Sequence, residues 1–190
     1  MSINKQLLPK ATTLMGSLRS MGYTFESAIA DVIDNSISAH ASKVQILFPT
    51  TPLAYLAVGI IDNGQGMTND ELLEAMRYGS MASEDQRADD DLGRFGMGMK
   101  SASLSQCRHL TVISFSGLEY HGYRWDYSYI LEKQDWIIQE LSKKEIESVP
   151  YAEAFLQQKS GTLVVWDDFD VLSKLSGGQV YETLLELRNS

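Results

Sequence analysis

Four short stretches combine residue types that could hold a phosphate, a metal ion and a flat polar ring. Residues 93–101 read GRFGMGMKS. Glycines there let backbone N–H groups approach an anion, and Lys100 and Ser101 fall in the first turn of an expected helix, where free N–H groups favour negative charge. The stretch is not a P-loop, which needs lysine directly after the second glycine, because Met99 separates Gly98 from Lys100. It is not a dinucleotide fingerprint either, since no third glycine follows Gly96-Met97-Gly98 at the required spacing. Taken alone, a plain glycine hinge explains it as well.

The second stretch is IIDNGQGMT, residues 60–68, an apolar strand ending in Asp62 and turning through Gly64 and Gly66. The carboxylate can accept a hydrogen bond from an exocyclic amine, and two glycines two apart let backbone close on a flat ligand. An ordinary Asp-Asn-Gly turn is the competing reading. Third, Asp31 and Asn35 stand four apart in a helical pattern and so project side by side; a solvated helix face is the alternative. Fourth, Gly161-Thr162 opens the strand GTLVVW, which by itself means little.

The elements that must position these residues are legible in outline. Residues 23–40 carry apolar side chains at Phe25, Ile29, Val32, Ile33 and Ile37, a helical stripe, with Asp31, Asp34, Asn35 and Ser38 on the other face. Residues 42–48 and 56–62 read as strands joined by a turn between Pro49 and Pro52. Thr68 with Glu71 three residues on is a capping box opening a helix that should stop by Gly79. Residues 80–93 are polar, acidic and without period, a loop. A helix through Lys100 to Gln106 follows, then a hairpin of HLTVISFS with EYHGYRW around Ser116-Gly117, a further strand DWIIQEL, a short helix over 151–158, a last strand over 161–169 and a terminal helix over 179–188. Strands outnumber a βαβ alternation and join mostly by hairpins, which predicts an α+β two-layer sandwich: a mixed, mostly antiparallel sheet with helices on one face.

The bulk composition bounds the rest. At 190 residues with 44% hydrophobic content, the chain fits one domain with a full core. A net charge of −9 makes the whole domain a poor polyanion binder, so any DNA contact is expected from regions outside it. No apolar run approaches the roughly 20 residues of a membrane span, and MSINKQLLPK lacks a signal-peptide core, so a cytoplasmic protein without membrane contact is expected. The single Cys107 reads as a buried filler.

In their order and spacing, the four stretches resemble the GHKL ATPases (gyrase, heat-shock chaperones, histidine kinases, MutL), whose Bergerat fold is the sandwich just described. FESAIADVIDNSISAHAS is similar to the family's N box, IIDNGQGM to its adenine-binding D-x-G-x-G box, GRFGMGMKSAS to its glycine-rich lid box and GTLVVW to its last motif. The IDNS helix, the Tyr78-Gly79 step and G-x-F-G-x-G-x-K-S-x-S look closest to the MORC branch, with chaperone and MutL types next.

The resemblance implies ATP and Mg²⁺ as ligands. Asn35 would give its amide oxygen to the metal, Asp62 would read the adenine amine, and Thr162 would support Asp62 through a shared water. Gly64 and Gly66 would let backbone close on the base, with Met67 and Met97 near base or sugar or else in the core. Gly93, Arg94, Phe95, Gly96, Met97, Gly98 and Ser101 would wrap the phosphates, and Lys100 would neutralise charge on the β and γ groups. The family's general base is a glutamate four residues before the asparagine; here that position is Asp31, one methylene shorter, and a positioned base contributes about 10²- to 10⁴-fold. Slow ATP hydrolysis driving closure of a lid over residues 80–98 and homodimerisation is therefore expected, with residues 1–21 reaching a partner subunit, as the motor domain of a larger MORC-like protein. No transducer segment is expected before the chain ends at Arg188-Asn-Ser. A non-hydrolysing ATP switch is the alternative. A histidine kinase fits less well, because none of His40, His109 and His121 sits in an evident dimerisation helix.

Overall fold

The computed structural model describes residues 10–20, 22–51, 55–77, 98–117, 119–169 and 177–189. Six strands form one sheet: β1 (Val44–Leu47), β2 (Ala57–Asp62), β3 (His109–Phe115), β4 (Tyr120–Asp126), β5 (Gln139–Glu140) and β6 (Gly161–Asp167), in the order β1-β2-β6-β3-β4-β5. Every pairing is antiparallel, so the α+β architecture stands and the expected mixture of strand directions is absent from the described pairings. The last strand lies in the middle. Its run GTLVVWD is buried at every position, as is β2, because apolar side chains of both parities meet a covering layer on each face.

One layer is helical and large. It comprises α1 (Ala11–Arg19), α2 (Phe25–Ser38), α3 (Asn69–Met76), α4 (Gly98–Gln106) and α5 (Tyr127–Lys133), with α8 (Gly177–Asn189) adding Leu184. Val58, Ile60, Leu110, Val112, Val164 and Trp166 point into this layer. The opposite parity, including Ile61, Ile113, Leu163 and Val165, packs against two short helices, α6 (Lys143–Glu147) and α7 (Ala152–Phe155). Helices on one face therefore describe the main layer, and the second face is covered as well. Gly59 makes this closure possible: a Cβ there would lie 2.5 Å from the ring of Tyr151, whose hydroxyl donates to the Ala57 carbonyl at 2.7 Å.

Local chemistry explains the helix ends that position the site. The Thr24 hydroxyl caps α2 by accepting the Ser27 N–H at 3.2 Å, and the Thr68–Glu71 capping box opens α3. At the far end of α4, the Arg19 guanidinium donates to the Leu104 carbonyl at 2.6 Å and to the Cys107 carbonyl, where cationic donors suit the helix dipole. Its face stacks over the Tyr127 ring at 4.6 Å. Residues 11–19, expected to reach a partner subunit, thus pack against their own α4 and α5, with Ala11, Met15 and Leu18 buried. Cys107 is buried as expected.

The sheet end away from Asp62 is held by a charged cluster. His109 Nδ1 lies 2.6 Å from Asp167, with Nε2 at 3.6 Å from Asp126 and 4.0 Å from Asp168, while Arg108 pairs with Asp168 at 3.5 Å. The Asp167 hydrogen bond, opposed by burial and reinforced by the three carboxylates, raises the His109 pKa above its ordinary value. A histidine with a raised folded pKa adds stability that is fully present below its unfolded pKa and is lost as pH rises through the folded one. Thermal unfolding should therefore be higher at pH 6 than at pH 8 by about 3 °C, on the scale of one charge-assisted hydrogen bond in a domain this size. His109→Gln should flatten that slope; an unchanged slope in the variant would show the dependence lies elsewhere.

Candidate functional site

Asp62 ends β2 with its carboxylate turned into a small polar hub. It is 6% exposed, and Oδ1 accepts the Gly64 N–H at 2.8 Å and the Thr162 N–H at 3.2 Å. Oδ2 accepts the Ser36 hydroxyl at 3.1 Å. Burial raises the Asp62 pKa, and these three donors only partly offset it. The ionised carboxylate is thus under-solvated, and one further donor on it would be stabilising. An exocyclic amine is such a donor.

Around this hub the chain packs backbone against backbone. Gly66 has φ +69° and a Cβ there would meet the Phe115 carbonyl oxygen at 1.9 Å; Gly161 has φ +122° and its Cβ would meet the Asp62 carbonyl oxygen at 2.1 Å. At Gly64 the obstacle would be the Ala39 carbonyl oxygen at 2.7 Å. The glycines expected to admit a flat ligand thus have a prior reason in the protein's own close packing, which no side chain fits. Ser114 stitches the same corner: its hydroxyl accepts the Met67 N–H at 2.9 Å and lies 3.1 Å from both the Gly161 carbonyl and Thr162 Oγ1. Thr162 therefore touches Asp62 directly, through its main-chain N–H, while its hydroxyl turns to Ser114.

The helix α2 reaches the hub through Ser36 and carries Asp31 and Asn35 beside it. Asn35 Nδ2 donates to the Asp31 carbonyl at 2.7 Å, so its amide oxygen is the atom left to accept or to ligate. An oxygen donor is what Mg²⁺ selects, and one protein ligand suffices when water and phosphate complete the octahedron. Asp31 lies close to the start of α4: a Cβ on Gly98 would sit 3.4 Å from Asp31 Oδ2. Burial, and then the nearby Asp31 carboxylate, raise the Tyr23 pKa. Three remote stretches, the α2 face, the end of β2 and the start of α4, thus converge.

Lys100 lies elsewhere. Its side chain is 1% exposed and Nζ donates to the Arg77 carbonyl at the end of α3, at 2.5 Å. Ser101 is buried in the same helix. Gly93, Arg94, Phe95, Gly96 and Met97 fall outside the described residues, as do residues 1–9. Met67 is half-buried against the helical layer, with its N–H on Ser114.

Ser36 and Ser114 are the residues that sequence reasoning missed. The periodicity places Ile37 on the apolar stripe of α2, yet Ile37 is 52% exposed and Ser36 takes the buried position. A hydroxyl at a core position of a helix, and another in the apolar run of β3, were the available clues.

A buried carboxylate at a strand end, an asparagine on a facing helix and a helix that starts at a glycine come together in one α+β domain. The chain belongs to the histidine kinase-, DNA gyrase B- and HSP90-like ATPase family, whose model matches residues 23–162. It is also similar to MORC family CW-type zinc finger protein 3 of Mus musculus, 28% identical over 92 residues. That match covers 48% of this chain and 10% of the relative. Among the described residues, no helix is long and apolar enough to cross a membrane.

Proposed function

We propose that this chain binds Mg·ATP between α2 and the ends of β2 and β6 and hydrolyses it slowly to ADP and phosphate. The observation that carries the reading is the under-solvated Asp62 carboxylate, placed by Ser36 one residue from Asn35. Asp62 accepts the adenine amine, and Asn35 offers its amide oxygen to the metal. Bound Mg²⁺ supplies charge neutralisation on the triphosphate. Asp31 orients water for in-line attack on the γ-phosphate and takes its proton. The protein contributes positioning and electrostatics, with no covalent intermediate.

Nucleotide binding serves a conformational purpose in this reading. Residues 80–98 close over the bound nucleotide, two copies associate, and hydrolysis resets the cycle. Support comes from family membership and from the similarity to a MORC protein, which also favours work as a motor domain within a longer MORC-like chain; the net charge of −9 leaves any DNA contact to regions outside this domain. Because α1 is packed internally through Arg19, exchange of an N-terminal arm requires residues 1–9 or release of α1.

Single-turnover phosphate release tests the activity. With protein in excess over labelled ATP and Mg²⁺ present, phosphate should appear over minutes to hours without labelled protein. Bound ATP persisting with no product would establish the non-hydrolysing switch instead, the reading that the short side chain of Asp31 favours.

A further inference from the structure

We propose that Lys100 is a positioning residue that ties the first turn of α4 to the C-terminal end of α3, and is not a ligand of the nucleotide's β- and γ-phosphates. This rests on the nucleotide reading above. Arg77 is the C-cap of α3 and its own N–H returns to the Glu74 carbonyl, so its carbonyl lies where the helix carries partial negative charge. An ammonium donating to it at 2.5 Å matches that charge. Glu74, one turn back on α3, also favours the charged form, although burial pushes the Lys100 pKa down to about 8.

The direction of the side chain is the second argument. Gly98 faces Asp31 of α2 closely enough for a Cβ to sit 3.4 Å from the carboxylate. Lys100 is two residues on, about 200° round an α-helix. The face of α4 that meets α2, where Asn35 would hold the metal and Asp31 the attacking water, is therefore not the face from which Lys100 projects. Its near-complete burial agrees, since a phosphate ligand must be reachable from the binding cleft. The tie fixes the start of α4, and through it Gly98, relative to Asp31. Lys100 would then govern how well the site is formed, equally for every nucleotide that uses it.

Two measurements decide this. In the wild-type protein, acetylation of lysines read by peptide mass spectrometry should find Lys100 at least about tenfold slower than exposed Lys144, with or without Mg-nucleotide, because burial rather than ligand shields it. In Lys100→Met, affinities for ADP and for a non-hydrolysable ATP analogue should fall by the same factor, within about twofold, as uniform loss requires. Amide exchange over residues 72–77 should quicken in the variant. The proposal is overturned if Lys100 reacts as fast as Lys144 until Mg-nucleotide is added. It is equally overturned if the variant loses triphosphate affinity about tenfold more than diphosphate affinity, the mark of a γ-phosphate contact. Should the variant fail to fold, the wild-type labelling decides. Should the wild type bind neither nucleotide, the nucleotide reading fails, while labelling and exchange still judge the tie.

Discussion

Asp62→Asn is expected to leave the fold intact and to weaken adenine-nucleotide binding at least about a hundredfold, a change of about 2.7 kcal/mol. The asparagine oxygen can take over both main-chain donors, Gly64 N–H and Thr162 N–H, which lie on one carboxylate oxygen. Its new NH₂ then faces Ser36, whose hydroxyl can turn to the Val32 carbonyl at 3.3 Å and accept instead of donate. The hub stays satisfied without its charge, and removing a carboxylate that burial disfavours should cost the empty protein little. An exocyclic amine entering the site now meets another donor. Two opposed donors in a water-poor pocket leave both unsatisfied, at about 1–3 kcal/mol each. Calorimetric titration with ADP, paired with a thermal melt, checks both halves: affinity retained within a few-fold would remove Asp62 from the recognition of adenine.

Asp31→Asn is expected to slow phosphate release by about 10²- to 10⁴-fold while changing ADP affinity by less than about threefold, because a base acts in the transition state only. The substitution is nearly isosteric. Asn35 is undisturbed, since its Nδ2 bonds the main-chain carbonyl of residue 31 and not the side chain. The readout is the split between turnover and binding. Unchanged turnover would assign the water-activating role to another group, and an equal loss of both would make Asp31 a binding residue.

Much of this architecture could be read from residue order, for reasons that differ between elements. The continuous apolar runs at β2 and β6 and the Thr68–Glu71 capping box are local patterns, and each became the element that its pattern predicts. The short α6 had the same signature in Ser142 and Glu145, but five residues inside a strand-rich stretch gave no periodicity to support it. Helix α5 begins at an aromatic segment, YSYILEK, that favours strand by composition; Asp126, capping through the Tyr129 N–H at 3.0 Å, turned it into helix. Tertiary packing decided α1, where Gly16 weakens local preference and burial of Ala11, Met15 and Leu18 restores it.

The site was legible in its polar anchors and not in their support. Asp62, Asn35 and Asp31 carry chemistry by type and spacing. Ser36 and Ser114 matter because of where the sheet and α2 meet, a juxtaposition set by residues 26 and 47 positions away respectively. Lys100 follows a glycine-rich stretch, a pattern that implies a phosphate contact, and in the fold its ammonium donates to the Arg77 carbonyl at the end of α3, the observation behind the positioning role proposed above.

The proposition that Asn35 and Asp62 serve one Mg-nucleotide is tested most directly by calorimetric titration of the wild-type chain with ADP, in Mg²⁺ and again in chelator, beside Asn35→Ala. A saturable heat that weakens on chelation in the wild type, and no longer responds to Mg²⁺ in the variant, is the expected result. No Mg²⁺-dependent heat in the wild type, or a variant as Mg²⁺-sensitive as the parent, would contradict it.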